Sequence, residues 1–548
     1  MDPNQTPTLS ANSDIGTQRD THKDFKEHSV AEFFKKNKHM LGFSGKTRSL
    51  TTIIHEYITN SLDACDEHGI LPNIKVEIIE IGEDKYRVVV SDNGPGMPKN
   101  IIGKALGKML AGTKFHRYMQ QRGQQGIGAT GCTMFAQITT GQAVHVLSAH
   151  NGKMLSCDVM VNLKTNEPDM TVIGEQDASY HGLTIEAEFG DVKFDKSSYG
   201  VLEYLKKTAI ANPHAQIELI APGNEYYKFS RSIETVPKKP KEVKPHPLGI
   251  SIYDLQAMAQ NSKEPKLSSF LIDSFSRFSP QKVSELKEII DVDFSKSPKE
   301  LSWEDSEKLV KAIQKLKWIA PPLDSVIPIG KDQIEKSMRN ILDPEFMNVA
   351  ERDIKIYSGG IPFAVEVGIA FGGKINEQKG EIYRYANRTP LMFDASGCAI
   401  ATAIKEIDWK RYGIDMETDP AVIFVNISSV HIPYVGAGKQ AISDIEEVQQ
   451  EIKNAIMEAA RGIKISLGRK RKAGDMEKKK TALLRYISRL SEDLTNLAET
   501  GTKEDLQKKL TNIIETRYMT SMVGEEEEAK PESSGAAEGE ENGGEKEE

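Results

Sequence analysis

Cysteine is scarce in this chain. Four thiols in 548 residues, Cys65, Cys132, Cys157 and Cys398, stand without a single Cys-x-x-Cys pair. That excludes a disulfide framework and a thiolate zinc site, and it fits a reducing compartment. Long apolar runs are also missing: nothing approaches the roughly 18 residues that span a bilayer, and Met1 to Lys23 is polar with no apolar signal core. The expectation is an unsecreted, soluble, cytoplasmic protein. The third absence is an excess of charge in the body of the chain. The formal net charge is −9, and residues 525–548 hold eleven Glu and two Lys, leaving 69 acids and 69 bases in residues 1–524. The pI of about 5.9 therefore reports the tail, and it does not exclude a nucleic-acid partner for the folded part.

At roughly 100–200 residues per domain, the length predicts three or four domains. The first two dozen residues are polar and aperiodic, and they read as a disordered arm ahead of the amphipathic stretch Ser29 to Leu41. A helix from Thr52 leads into strand-like Ile74 to Ile78, a turn at Gly82 to Lys85, and strand-like Tyr86 to Val90. Further strands are expected at Val144 to Ala149 and Leu183 to Phe189, giving a two-layer α+β unit up to about residue 228. Val236 to Pro247, with four prolines, predicts a stiff extended linker. Short helical patterns follow, one capped by Ser279 with Pro280 at its first position and another capped by Ser302. A second α+β segment then includes strands at Ile361 to Phe371, Glu381 to Tyr385 and Ala421 to Ile427, with a helix near Ala399 to Ile407. A long helix from Ala441 to about Ser466, a basic run, two amphipathic helices and the acidic tail complete the pattern.

Some motifs mislead. Gly45-Lys46-Thr47 resembles the end of a P-loop, but the required earlier glycine is Met40, and the partner that His55-Glu56 would need for a zinc protease is Thr59. Asp291-Val-Asp293 has the residue types of a metal-dependent cleavage module, although such pairs more often cap helices.

Three other elements belong together. On the helix from Thr52, Glu56, Asn60 and Asp63 fall within roughly 60° of one another, opposite Ile54, Ile58 and Cys65. Asp92-Asn93-Gly94-Pro95-Gly96 follows an apolar strand, where a carboxylate can accept from an exocyclic amine and glycines admit a flat ligand. Gly123, Gly126, Gly128 and Gly131 precede a helix-compatible stretch, so that backbone amides and a helix start suit a polyphosphate. Taken singly, these read as a solvated helix face, an Asx turn and a flexible loop.

In order and character the three resemble the GHKL ATPase family. Glu56-x3-Asn60-x2-Asp63-Ala64 matches its N-box, Asp92-x-Gly94-x-Gly96 its adenine motif and Gly123-x2-Gly126-x-Gly128 its lid. Gly182 and Thr184 match a later Gly/Thr element, one residue apart where the family often has them adjacent. The resemblance implies an α/β-sandwich ATP site in which Glu56 is general base, Asn60 holds Mg²⁺ and Asp92 reads adenine. The parts suffice chemically, because phosphoryl transfer needs mainly positioning and charge neutralisation.

The second α+β segment resembles the transducer of gyrase-like members: Tyr385-Ala-Asn387-Arg388-Thr-Pro390 is similar to their Asn-Arg-x-Pro turn. In Val435-Gly-Ala-Gly438-Lys439, a lysine on a glycine loop before a long helix is placed to reach a γ-phosphate. A GHKL unit, a helix-two-turns-helix-like insert and this transducer stand in the order of the topoisomerase VI B subunits, the type IIB topoisomerase family. The resemblance extends the nucleotide contacts to Thr113, Lys114, Arg122, Gly123, Gln124, Gln125, Gly126, Ile127, Gly128 and Ala129. It implies ATP-dependent dimerisation within an A2B2 heterotetramer, double-stranded DNA as substrate, and a topoisomerase VI A subunit that cuts it. The division expected is an arm over 1–24, the ATPase unit over 25–228, the helical insert over 229–320, the transducer over 321–468, C-terminal helices over 469–523 and a disordered tail over 524–548. Lys464, Arg469 to Lys472 and Lys478 to Lys480 are candidates for DNA phosphates or a solvated helix end. Leu483 to Leu497 and Leu506 to Ile514 are candidates for docking the A subunit or for packing on the transducer. A GHKL chaperone or mismatch-repair clamp is the competing class.

Overall fold

The computed structural model describes residues 32, 36–112, 117–123, 126–375, 379–436, 438–498 and 502–527. The expected contacts Thr113, Lys114, Gln124 and Gln125, the arm, and the tail from 528 lie outside the described residues. Contacts divide the chain into two compact units, one ending at Arg461 and one starting at Gly462. No helix among the described residues is long and apolar enough to cross a membrane.

The first unit opens with α1 (Lys46–His68), which begins six residues earlier than its apolar pattern predicts. Gly45 at φ 84 turns the chain into it, and Gly69 at φ 70 ends it with its N–H returned to the Asp66 carbonyl. Then come β1 (Asn73–Gly82), β2 (Lys85–Asp92), α2 (Lys99–Gly107), α3 (Gly128–Thr140), β3 (Val144–His150), β4 (Lys153–Val161), β5 (Pro168–Asp177), β6 (Gly182–Gly190), α4 (Val201–Ala211), β7 (Gln216–Ala221) and β8 (Glu225–Phe229). These strands form one sheet in the order β5-β4-β3-β6-β2-β1-β7-β8, antiparallel except for the β1/β7 pair. Along β1 as far as Ile78, and along β2 as far as Val90, every second residue is buried, with Val76, Ile78, Val88 and Val90 turned to the helices. Leu50, Ile53 and Ile54 of α1, Phe135 of α3 and Tyr204 and Leu205 of α4 complete that core. The opposite face carries cross-strand ion pairs such as Lys85–Glu188 at 2.9 Å and Arg87–Glu188 at 3.0 Å. Two layers result, with one face of the sheet wet.

The proline-rich stretch has no regular structure, and its backbone is tied by Lys241 N–H to the Asp324 carbonyl and Val243 N–H to the Tyr118 carbonyl. Four helices follow, α5 (Ile252–Gln260), α6 (Leu267–Ser274), α7 (Pro280–Ile289) and α8 (Trp303–Lys315). Ser251, Ser279 and Ser302 cap three of them by accepting from backbone N–H groups three residues on. They enclose their own core of Leu255, Phe270, Leu271, Phe275, Leu286, Leu309 and Ile313. Asp293 accepts from the Ser295 N–H and hydroxyl, a local turn.

Next come α9 (Lys331–Leu342), β9 (Phe346–Glu351), β10 (Lys355–Tyr357), β11 (Ile361–Phe371), β12 (Glu381–Ala386), β13 (Thr389–Pro390), α10 (Ala399–Lys405) and β14 (Ala421–Ser429). The second sheet runs β10-β11-β14-β12-β13, with β9 also on β11. β12 and β14 are parallel, joined through β13 and α10. Asn387 and Arg388, at φ 49 and 65, make the two-residue turn between β12 and β13 with both residues left-handed, as a type I′ hairpin requires. Ile334, Met338 and Leu342 of α9 pack with Ile210 and Ala211 of α4 and with Tyr385 and Phe424 of the second sheet, joining the two halves.

The last helices are α11 (Glu446–Ala498) and α12 (Lys503–Glu527). The expectation of a helix from Ala441 to Ser466 followed by a separate basic run is corrected at both ends. Ile442 is held in a bridge to Tyr434, so α11 starts later, and it then continues unbroken for 53 residues. The basic segment is rich in Lys and Arg, which favour helix, and free of proline, so nothing stops the helix there.

Candidate nucleotide site

Between the helix layer and the first sheet lies a cavity of about 620 Å³. Its wall includes Glu56 and Asn60 from α1, Asp92, Gly96 and Met97 after β2, Arg122, Gly123, Gly126, Ile127, Gly128 and Ala129, and Lys439 from the far end of the second sheet. Elements separated by more than 380 residues in sequence thus meet on one space.

Asp92 sits at the strand end as its sequence context predicts. One carboxylate oxygen accepts from the Ser61 hydroxyl at 2.6 Å, the other from the N–H groups of Gly94 at 2.9 Å and Leu183 at 3.2 Å. Burial pushes its carboxyl above the ordinary range, against those three hydrogen bonds. The following turn is clamped. Ser148 accepts from Met97 N–H and donates to Met97 C=O, and His181 and His150 reach the carbonyls of Gly94 and Pro95. Gly96, at φ 69, passes so close to the Ala149 carbonyl that a Cβ would lie 2.2 Å from its oxygen.

The glycine-rich segment runs into the N-terminus of α3, whose first residues line the cavity. There the Glu56 carboxylate takes the space a side chain would fill: a Cβ on Gly128 would lie 1.7 Å from Glu56 Oε2. His55 Nε2 stands 4.0 Å from the other oxygen, and burial, opposed by Glu56 and reinforced by Lys439, holds that imidazole below its usual range and neutral. The Tyr57 hydroxyl, also in the wall, is buried without a hydrogen-bond partner among the described residues. Lys439, at φ 51, rides on a loop fixed by its neighbour. The Gln440 side-chain oxygen accepts from Met392 and Phe393 N–H, and Arg384 donates to the Gln440 carbonyl.

Three expected contacts are not on the cavity wall: Asp63, Gly94 and Thr184. Asp63 is 7% exposed and pairs with Arg122 at 2.8 Å. Arg122 also binds Asp66 at 2.8 Å and the Asn212 side-chain oxygen at 2.6 Å, so both terminal nitrogens of its guanidinium are committed to the protein. Burial opposes charge on Asp66, but Arg122 and a 2.8 Å contact from His214 outweigh it and hold that carboxyl well below the usual range. Thr184 donates to the Ser91 hydroxyl across β2 and β6, and Gly94 packs under Asp92. Conversely, Arg48, Ser61, Lys104 and Gln440 belong to the wall or its support without having been singled out. Lys104, a lone cation in the apolar stretch Ile101 to Leu106, carried a readable signal; Ser61 carried none.

Comparison with known proteins settles the family. Residues 48–197 match the family of histidine kinase-, DNA gyrase B- and HSP90-like ATPases, and residues 321–479 match the topoisomerase VI B subunit transducer. The type 2 DNA topoisomerase 6 B subunit of Pyrococcus abyssi is 43% identical over 93% of this chain and 99% of its own length. The chain belongs to the type 2 DNA topoisomerase 6 B subunits. The Pyrococcus horikoshii member of that family is likewise 43% identical, again over 93% of this chain and 99% of its own. The ATPase region of Saccharomyces cerevisiae topoisomerase II aligns over 81% of this chain and 98% of its own at 11% identity, with a TM-score of 0.39. As a topoisomerase 6 B subunit the chain is the ATP-driven component of a type II enzyme, and most of the cavity wall falls within the ATPase match, with Gly438, Lys439 and Gln440 coming from the transducer match.

Proposed function

We propose that the 620 Å³ cavity binds ATP with Mg²⁺, and that nucleotide binding pairs two copies of this subunit to gate passage of one duplex through a break made by an A subunit. The observation that carries this is the meeting of Glu56, Asn60, Asp92, the glycine segment and Lys439 on one cavity. The volume falls within the usual 300–1,000 Å³ of ligand sites. A buried, unpartnered Tyr57 hydroxyl and a carboxylate set against a residue without a side chain suit a polar ligand.

Each residue then has a task. Asp92 spends three of about four acceptor positions on the protein, leaving one for an exocyclic amine. Glu56, held at Gly128, takes the proton of the attacking water, a role typically worth about 10²- to 10⁴-fold. Lys439 and Lys104 meet phosphate charge, as do the amides at the start of α3. Asn60 is the residue that would hold Mg²⁺, whose contribution is to neutralise the phosphates. No cluster of three His, Cys, Asp or Glu able to hold a metal occurs among the described residues, which fits an ion shared with phosphate and water. Asp63 acts indirectly, by holding Arg122 at the root of the glycine segment.

The partners rest on the last helices. Arg469 to Lys472 are exposed on α11 and suit DNA phosphates. Leu483, Tyr486, Leu490, Leu494 and Leu497 are exposed at helical spacing, a stripe that suits the A subunit. The site of action is the cytoplasm, with the DNA.

Glu56→Ala separates binding from chemistry. Turnover should fall at least about 10²-fold, while a non-hydrolysable ATP analogue still binds and pairs the subunits; unchanged hydrolysis would overturn the role of the base. Relaxation of supercoiled plasmid by this chain without an A subunit would overturn the division of labour.

A further inference from the structure

A second cavity, of about 70 Å³, shares Arg122 and Glu67 with the nucleotide cavity, and its polar wall continues through Asp63, Asp66, Gln121, Lys238, Lys239 and Arg388. It is bounded by the root of the glycine segment, the proline-rich stretch and the Asn387-Arg388 turn of the second sheet. Seven buried side-chain atoms lack a hydrogen-bond partner among the described residues, and four of them belong to this wall. They are both amide atoms of Gln121, Nε of Arg122 and Nε of Arg388. Gln121 is 7% exposed and Arg388 6%. Buried polar groups are nearly always satisfied, so such a concentration at one space calls for an occupant.

Its chemistry is constrained. Arg122 is neutralised by Asp63 and Asp66, each at 2.8 Å. Arg388 is not: its Nη2 donates only to the Ile327 and Pro328 carbonyls, and no carboxylate among the described residues pairs with it. Burial, with Arg122 close by, pulls its guanidinium down to about 10, against the more distant charges of Asp66 and Glu366. A buried cation in that position favours an anion. Lys238 and Lys239, both exposed, add positive charge where the cavity meets solvent, whereas Glu67 is engaged by Arg117 at 3.8 Å. The occupant must accept from two guanidinium N–H groups and one amide N–H, and donate to one amide oxygen. A halide accepts but cannot donate. A protonated tetrahedral oxyanion does both, and the cavity exceeds the ~30 Å³ of a single water.

We propose that this cavity is an oxyanion site that takes inorganic hydrogenphosphate, set between the glycine segment of the nucleotide site and the hairpin turn of the second sheet. A phosphate there would be held from one side by Gln121 and Arg122 and from the other by Arg388, so that it ties the two halves together. Because Arg122 walls both cavities, the site adjoins the cavity in which ATP hydrolysis would release the same ion.

The test is equilibrium dialysis of radiolabelled orthophosphate against the full chain, with a saturating non-hydrolysable ATP analogue present to fill the γ-phosphate position. The expected result is one saturable site per chain, weakened at least tenfold by Gln121→Leu and by the isosteric Gln121→Glu, which sets a carboxylate against the anion. Lys153→Ala, an exposed residue of β4 on neither cavity wall, should leave it unchanged. Absence of saturable binding in the full chain overturns the proposal, as does retention of affinity in both Gln121 variants. A crystal structure grown in phosphate that shows only water beside Gln121 and Arg388 overturns it as well. Failure of the analogue to bind would count against the nucleotide reading alone, since the Gln121 comparison still reports on this cavity.

Discussion

In the eight-stranded sheet, β1 and β2 bury alternate residues and leave the rest to solvent, whereas β11 and β14 of the six-stranded sheet are buried at nearly every position. The polar groups differ accordingly. Those of the first sheet that matter, Asp92 foremost, face a cavity and keep capacity in reserve. Those buried along β11 and β14, and Asn387 beside them, are consumed internally. Glu366 accepts from Gly330 N–H at 2.7 Å and from Asn426 at 2.8 Å, and Asn387 donates to the Gln121 and Ser429 carbonyls while accepting from Ser429 N–H. The lesson is a separation of tasks: one sheet presents reactive groups at little cost in packing, and the other is a stiff body that carries Lys439 to them.

That separation can be broken experimentally. The largest effect should come from Gly128→Ala, whose new methyl displaces the Glu56 carboxylate. A shift near 1 Å in a reacting group costs about 10²-fold in turnover, and thermal melting should barely change; a fall in Tm with intact turnover would erase the distinction. Asn426→Ala should do the opposite. It leaves buried Glu366 short of a partner and should cost about 1–3 kcal/mol, read by denaturant unfolding, with nucleotide affinity unaltered.

A smaller, pH-dependent effect should mark the seam between the halves. Asp66 binds its proton more weakly folded than unfolded, so its contribution to stability is fully present above the ordinary carboxylate pKa of about 3.9 and drains as pH falls below it. Asp66→Asn should flatten that part of a Tm-against-pH curve; an identical slope would remove Asp66 from the linkage. The smallest effect is expected at the rim of the second sheet. Lys374→Ala loses an exposed pair to Asp343 at 3.0 Å, worth at most about 1 kcal/mol by calorimetry.

The two regions were also unequally legible in sequence. Asp92 could be placed because an apolar strand ends there, and Gly128 because glycines cluster before a helix. The fold class followed from local patterns that burial enforces, the alternation along β2 and the nearly continuous apolar run of β11. Strand β5 was invisible: it is an edge strand exposed at almost every residue, with no face to pattern. Arg122 and Asp63 were both expected at the nucleotide, and of the two only Arg122 reaches the cavity wall. Their 2.8 Å pairing spans 59 residues, and nothing local distinguishes a cation that binds phosphate from one that binds carboxylates. The unbroken α11 was hidden by its own charge, since an exposed basic helix and a basic linker share a composition.

The four cysteines offer a last consequence. All are buried, and burial pushes the Cys65 thiol up to about 12 and Cys132 well above its usual range. A thiol so protonated and enclosed reacts only when its surroundings open. Cys65 stands on α1 beside Asn93, Cys132 on α3, Cys157 on β4 and Cys398 ahead of α10, so the native chain already carries one silent reporter in each of four places. Alkylation followed peptide by peptide would time the breathing of the helix layer, the sheet and the second half separately, without adding a label to any of them.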